Sequence, residues 1–252
     1  MQSQILKSKI SAHHGLHTRE NELIPALNLL IKHPEIDMLE IDFVYDNGKF
    51  ISAHDYEDET IALGSELCEW FNEVIPLHKM IWIDIKDSGW SILSENFSKF
   101  DLDIFFTLLR TEKNKFFDIG IQLENYIIIS CQYDHLLDKI FSINNNEFLL
   151  AYDLPHVSSY VAKTITPACM DNIVDHFSQE YSEKILNDVT NGKCNIICLD
   201  MSFFMCVNDL IMLLNKVNNV SVVIIYSLEL SDKITLSVPG KHIIVQYNFN
   251  EI

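Results

Sequence analysis

Glycine is scarce in this chain, with seven among 252 residues, and proline reaches only six. No Gly-, Pro- or Ser-rich stretch divides the sequence, so no linker between two domains is expected. There is no internal repeat, and the one low-complexity run, INNNE at 143–147, reads as a turn. No apolar run reaches the roughly 18 residues that a membrane-spanning helix needs. The opening residues, MQSQILKSKI, lack the apolar centre of a signal peptide. A cytosolic protein without a transmembrane segment is the expectation, with leaderless export as an effector left open.

Basic residues are also few: 18 Lys and Arg stand against 36 Asp and Glu, for a formal net charge of −18. A chain this acidic repels phosphate backbones at long range, which argues against a nucleic-acid partner. Anionic bilayers repel it too. An anionic substrate is still compatible with it if a bound metal ion inverts the field locally. The six cysteines are scattered; Cys194 and Cys198 are four apart, but no second pair completes a zinc site. Reduced, mostly buried thiols are expected.

What the chain does have is a 48% hydrophobic content and a rhythm. Eight short apolar runs recur: KISAH (9–13), MLEIDFV (38–44), MIWIDIK (80–86), YIIIS (126–130), FLLAYD (148–153), NIICLD (195–200), VSVVIIYS (220–227) and HIIVQY (242–247). Helix-like segments separate several of them, at 20–33, 67–75, 134–143 and 206–217. Continuous β-branched runs alternating with helices read as buried parallel strands. Eight units in about 250 residues favour a single (β/α)8 TIM-type barrel spanning 1–252 as one domain. The stretch 154–194 gives the weakest pattern, compatible with two helices and an insertion.

The strand ends carry the chemistry. Side chains two apart on a strand share a face, so Glu40 and Asp42 project together while Leu39, Ile41 and Phe43 face covering helices. In the next run Trp82, Asp84 and Lys86 share the inward face. Two or three carboxylates on one apolar face are costly unless something compensates, and a hard divalent cation is the simplest compensation. In the first strand Ser11 and His13 face inward, with His14 at the exit. DNG at 46–48 is a turn signal, after which KFISAH returns and ends at His54. These groups gather near the carboxyl ends of the first strands, the end at which barrels place their active sites.

The order of these groups resembles the glycerophosphodiester phosphodiesterase family of the phospholipase C-like barrels. That family carries A-H-R-G, E-N-T, E-x-D, a D-G turn, H-D and E-x-K. This chain reads A-H-H-G at 12–15, E-N-E at 20–22, E-I-D at 40–42, D-N-G at 46–48, H-D at 54–55 and D-I-K at 84–86. The specific motifs cover residues 9–87; beyond them only the strand rhythm and IIISCQYD (127–134) agree. The resemblance implies that His13 and His54 are the general acid and base. It implies that Glu40, Asp42 and Asp84 hold one divalent cation, Mg2+ or Ca2+, and that Lys86 and His14 lie near the substrate phosphate.

There are departures from the family pattern. His14 stands where the family has arginine, which weakens bidentate phosphate binding. Asp84 replaces the commoner glutamate, as in the spider-toxin phospholipase D-like and Menorin-like branches. Only 30 residues separate His54 from Asp84, so the small insertion after the second strand looks reduced to the helix SELCEWFNEVI.

The expected activity is cleavage of a phosphodiester, a glycerophosphodiester or a lysophospholipid-like lipid head group. A cyclising lyase, a silent barrel used for binding and a different metal hydrolase stand as alternatives.

Overall fold

The computed structural model describes residues 7, 10–13, 23–46, 48–52, 64–85, 101–131, 134–153, 194–200, 214–215, 220–229 and 237–248. Among the described residues nine strands lie in one sheet: β1 (Ile10–His13), β2 (Met38–Asp46), β3 (Lys49–Ser52), β4 (Met80–Ile85), β5 (Ile127–Cys131), β6 (Leu149–Asp153), β7 (Ile196–Asp200), β8 (Val222–Glu229) and β9 (His242–Asn248). Eight of them run parallel in the order β1-β9-β8-β7-β6-β5-β4-β2, and pairing of β1 with β2 closes the ring. Each of the eight apolar runs in the sequence supplies one barrel strand. The expected closed (β/α)8 barrel is the observed one.

The ninth strand, β3, is antiparallel. Short β1 pairs only the start of β2, through Ser11↔Met38 to His13↔Glu40. From Phe43 to Asp46, β2 pairs instead with β3 across the turn at 47–48, where Gly48 takes φ +83°. Glycine is suited there because a Cβ at positive φ is strained. The hairpin is held next to its turn by the Lys49–Glu66 ion pair and at its open end by Ser65 N donating to Ser52 Oγ at 3.0 Å.

Strand parity sorts the core into two shells. Outward residues such as Leu39, Ile41, Phe43, Ile81, Ile83, Ile129, Ile197 and Val223 form one apolar cluster with the covering helices. Helix α1 (Leu23–Lys32) contributes Ala26 and Leu30, and α2 (Leu67–Val74) contributes Trp70 and Phe71. Phe105, Phe106, Leu109 and Phe116 come from α3 (Leu102–Asp118), and Ile140 from α4 (Asp134–Asn144). The connection from β3 to β4 carries α2 and a 3-10 turn over Ile75–Leu77 among the described residues.

Helix α3 has no counterpart among the segments picked out from the sequence. Its start is capped by Asp101, whose carboxylate accepts Ile104 N at 3.0 Å. Most of the expected helix at 206–217, and all of 154–193, lie outside the described residues.

Inward residues form the second, smaller cluster: Met38, Met80, Trp82, Ile128, Ala151, Ile196, Cys198, Val222, Ile224 and Ile244. Barrel strands are tilted, so side chains at one height come from alternate strands. The pairing register then stacks the interior in levels. Met38, Ile128, Ile196 and Ile244 make an apolar level low in the barrel. Ser11, Trp82, Ala151 and Ile224 lie above it, followed by Glu40, Ser130, Cys198 and Gln246. Asp84 and Tyr226 come next, with Asp42 higher still toward the carboxyl-terminal mouth. The interior thus turns from apolar to polar along its axis.

Candidate metal centre and active site

Three carboxylates occupy the polar end. Glu40, Asp42 and Asp84 offer oxygens that all lie within 4.8 Å of one another. Their exposures are 4%, 3% and 3%, so water does not screen them from each other. They are brought together by parallel pairing of β2 and β4, in which Asp42 is the register partner of Asp84 and Glu40 that of Trp82. The alternation read in the sequence is the observed one: Leu39, Ile41, Phe43, Ile81, Ile83 and Ile85 are all buried on the helix side.

Three anions this close and this dry repel one another strongly. The donor set is all oxygen, buried and anionic, which suits a hard divalent cation. The residues present therefore fit the metal that the sequence motifs imply.

A short chain of hydrogen bonds aims one of the three. Trp82 Nε1 donates to Ser130 Oγ at 2.7 Å, and Ser130 Oγ donates to Asp84 Oδ1 at 3.1 Å. All three residues are buried. The indole is itself fixed by neighbours, with the Tyr226 ring 6.1 Å away centre to centre. Ser130 is the register partner of Asp84 on the next strand, so the bond needs no loop to form. Partners of this kind orient metal-binding carboxylates and tune them. Trp82 was visible in the sequence as sharing the inward face with Asp84, and Ser130 as the end of an apolar run, but nothing there joined Ser130 to either of them.

The backbone of His13 closes the other side. It ends β1 with Glu40 as register partner on β2 and Asn248 on β9. That puts position 13 between the carboxylate strand and the last strand, at the carboxyl-terminal mouth. The His13 side chain, together with His14, His54 and Lys86, lies outside the described residues. Of the residues expected in the site, then, Glu40, Asp42 and Asp84 come together, and position 13 is adjacent to them by register.

The barrel can be set beside solved structures. A glycerophosphodiester phosphodiesterase from Parabacteroides distasonis superposes with TM-score 0.55 over 94% of this chain and 92% of that one, at 10% identity. A glycerophosphodiester phosphodiesterase from Agrobacterium tumefaciens gives 0.51 over 94% of each, at 14% identity. A protein from Silicibacter pomeroyi named as a glycerophosphoryl diester phosphodiesterase gives 0.58 over 97% and 94%, at 10% identity. The chain has the glycerophosphodiester phosphodiesterase fold. No protein-family model matches the sequence, and no curated protein matches it either.

The glycerophosphodiester phosphodiesterase fold extends over nearly the whole chain, so the likeness takes in the barrel as a unit and not only the motif-bearing first third. Within it, the three carboxylates sit at the carboxyl-terminal mouth, where barrel enzymes work. No helix among the described residues is long and apolar enough to cross a membrane. Of the six cysteines, the side chains of Cys68, Cys194 and Cys198 are described; the first is half-buried and the other two are buried.

Proposed function

We propose that this chain is a cation-dependent phosphodiesterase that hydrolyses a glycerophosphodiester or a lysophospholipid-like diester. The observation that carries this reading is the buried Glu40–Asp42–Asp84 cluster at the mouth of a barrel of this fold. The chain works as one barrel domain, since its first and last strands pair with each other.

Glu40, Asp42 and Asp84 would hold one divalent cation, Mg2+ or Ca2+. Such an ion supplies electrostatic stabilisation of charge that develops on a phosphate oxygen. The chain's own groups do the rest. His13 and His54 act as acid and base: one imidazole takes a proton from the attacking water, the other gives a proton to the departing alkoxide oxygen. Imidazole suits both tasks because its unperturbed pKa is about 6.5. Lys86 and His14 bind the phosphate. With histidine in place of arginine at position 14, the grip is less bidentate, which favours substrates held also through their alcohol part.

The test is a panel of phosphodiesters incubated with metal-stripped protein plus Mg2+, Ca2+ or EDTA and followed by phosphorus NMR. Hydrolysis gives a monoester resonance that appears only with a cation. A persistent cyclic phosphate would turn the assignment to a lyase. Absence of turnover on every diester would overturn the enzyme reading.

A further inference from the structure

Two polar atoms deep in the barrel have no hydrogen-bond partner among the described residues. Gln246 on β9 is 2% exposed and Ser11 on β1 is 0% exposed, and Gln246 Nε2 and Ser11 Oγ are both sealed from solvent with no partner among the described residues. A buried polar atom left alone costs about 1–3 kcal/mol, and folded proteins keep few. Here two occur side by side, because Ser11 and Gln246 are register partners on adjacent parallel strands. Both face inward: Ala12, next to Ser11, belongs to the outer cluster, and Ile244, two residues before Gln246, belongs to the inner one.

Their position is informative. The tilt of the strands sets Gln246 level with Glu40, two strands away in the ring. Between them runs β1, whose inward residue just below is Ser11 and whose next inward position is 13. The two side chains therefore converge on the base of the carboxylate cluster. Their chemistry is neutral and rich in donors, since Gln246 Nε2 has two protons to give and Ser11 Oγ can both donate and accept. Neutral donors against a triple anion complement it without competing for the cation.

We propose that Gln246 and Ser11 hold one buried water beneath the cation site. Gln246 Nε2 donates to the water, Ser11 Oγ exchanges a hydrogen bond with it, and the water donates to the carboxylate of Glu40. Gln246 is in this role a positioning residue. It keeps Glu40 turned toward the ion, as the Trp82–Ser130 chain keeps Asp84. The cation site is then oriented from both sides of the β2–β4 pair. This inference rests on the cation-binding reading above.

The experiment is titration calorimetry of Mg2+ and Ca2+ into metal-stripped protein, with melting curves of the stripped forms run alongside. Wild type, Gln246→Leu, Gln246→Glu and Ser11→Ala are compared. Loss of an outer partner of a metal ligand costs about 10–100-fold in affinity, so Gln246→Leu should weaken binding at least tenfold and Ser11→Ala by less. Gln246→Glu, which adds a carboxylate beside the ion, should tighten binding while lowering the melting temperature of the stripped protein. If wild type binds a cation and Gln246→Leu binds it equally well, with a stripped form that melts higher, the two residues are merely unsatisfied and the proposal falls. If wild type binds neither cation, the cation reading itself fails. Should Gln246→Leu not fold, Gln246→Glu decides alone: unchanged affinity overturns the proposal.

Discussion

The lower and upper halves of the barrel interior are built from the same eight strands yet obey opposite rules. Below, Met38, Ile128, Ile196, Val222 and Ile244 exclude water by packing alone. Above, Glu40, Asp42, Asp84, Ser130 and Gln246 are as well buried, but each is charged or carries hydrogen-bonding groups. The apolar floor stabilises the closed ring through burial, worth roughly 25 cal/mol per Å2 of apolar surface removed from water. The polar mouth opposes folding through three crowded anions. A strand two residues longer or shorter at its functional end would shift that boundary. The lesson is that the register of β2 against β4 does two tasks at once: it completes the floor and gathers the carboxylates.

Variants can break this comparison, and the floor should give the largest effect. Ile128→Ala deletes atoms from a fully buried position between Met38 and Ile196. It should cost about 2–5 kcal/mol and leave cation affinity within a factor of two or so of wild type. Denaturant unfolding and calorimetry on the same samples check both halves. A large loss of cation affinity would show that floor and mouth are not separable.

The mouth should respond with the opposite sign. Glu40→Gln removes one of three buried anions, so metal-stripped protein should become more stable by about 1–4 kcal/mol. The same variant should lose most of the rise in melting temperature that a bound cation provides by mass action. Thermal melts in EDTA and in millimolar Mg2+ or Ca2+ read both effects. A variant destabilised in EDTA would mean the three carboxylates do not repel one another in the stripped state.

A smaller effect tests the orienting chain. Ser130→Ala removes the acceptor of the Trp82 indole N–H and the hydroxyl that donates to Asp84 Oδ1. Cation affinity should fall about tenfold, and Ser130→Thr, which keeps the hydroxyl, should restore most of it. Equal affinity in Ser130→Ala and wild type would reduce the chain to packing.

The smallest effect lies outside the barrel, where α3 meets the turn before β6. Arg110 Nε donates to Glu147 at 2.8 Å and Lys113 Nζ at 3.2 Å. Burial pushes the Glu147 carboxyl up, but these two cations outweigh it and hold it below its usual value. A depressed folded-state value means the contribution is complete above the ordinary carboxylate range and is lost as pH falls through the lowered one. Glu147→Gln should therefore lower stability by no more than about 1 kcal/mol at neutral pH, given its partial exposure. The difference from wild type should vanish in strong acid. A gap that persists there would point to packing instead of charge.

Legibility in the sequence divides along the same line between floor and mouth. All eight barrel strands could be read, because each is a continuous apolar run and a buried parallel strand needs little else. The alternation of Glu40, Asp42 and Asp84 with isoleucine and leucine could be read for the same reason. Helix α3 could not. Its buried stripe includes Glu112, while Ile104 at 44% and Phe117 at 67% stand exposed, which blurs the helical period. The bond from Ser130 to Asp84 was also out of reach, because it joins residues 46 apart through strand register. The same holds for Ser11 beside Gln246. Cys68 could be read as a free thiol but not its environment: burial and the neighbouring Glu112 carboxylate raise it to about 11, so it should alkylate slowly near neutral pH.

The seam of the ring has a consequence in time. β1 is four residues long and finds its partners at Met38–Glu40 on one side and at Val245–Asn248 on the other. The second pairing joins strands more than 230 residues apart in the chain, so it forms only after β9 has been made. Until β9 docks, Gln246 is not beside Ser11, and position 13 has a neighbour on one side only. The carboxylates of β2 and β4 can meet long before that. Under the function proposed above, a growing chain should therefore acquire cation binding early and turnover late. Stalled nascent chains released with and without residues 242–248 would display it as cation-dependent protection of β2 and β4 from hydrogen exchange, present in both, and turnover, present only in the longer.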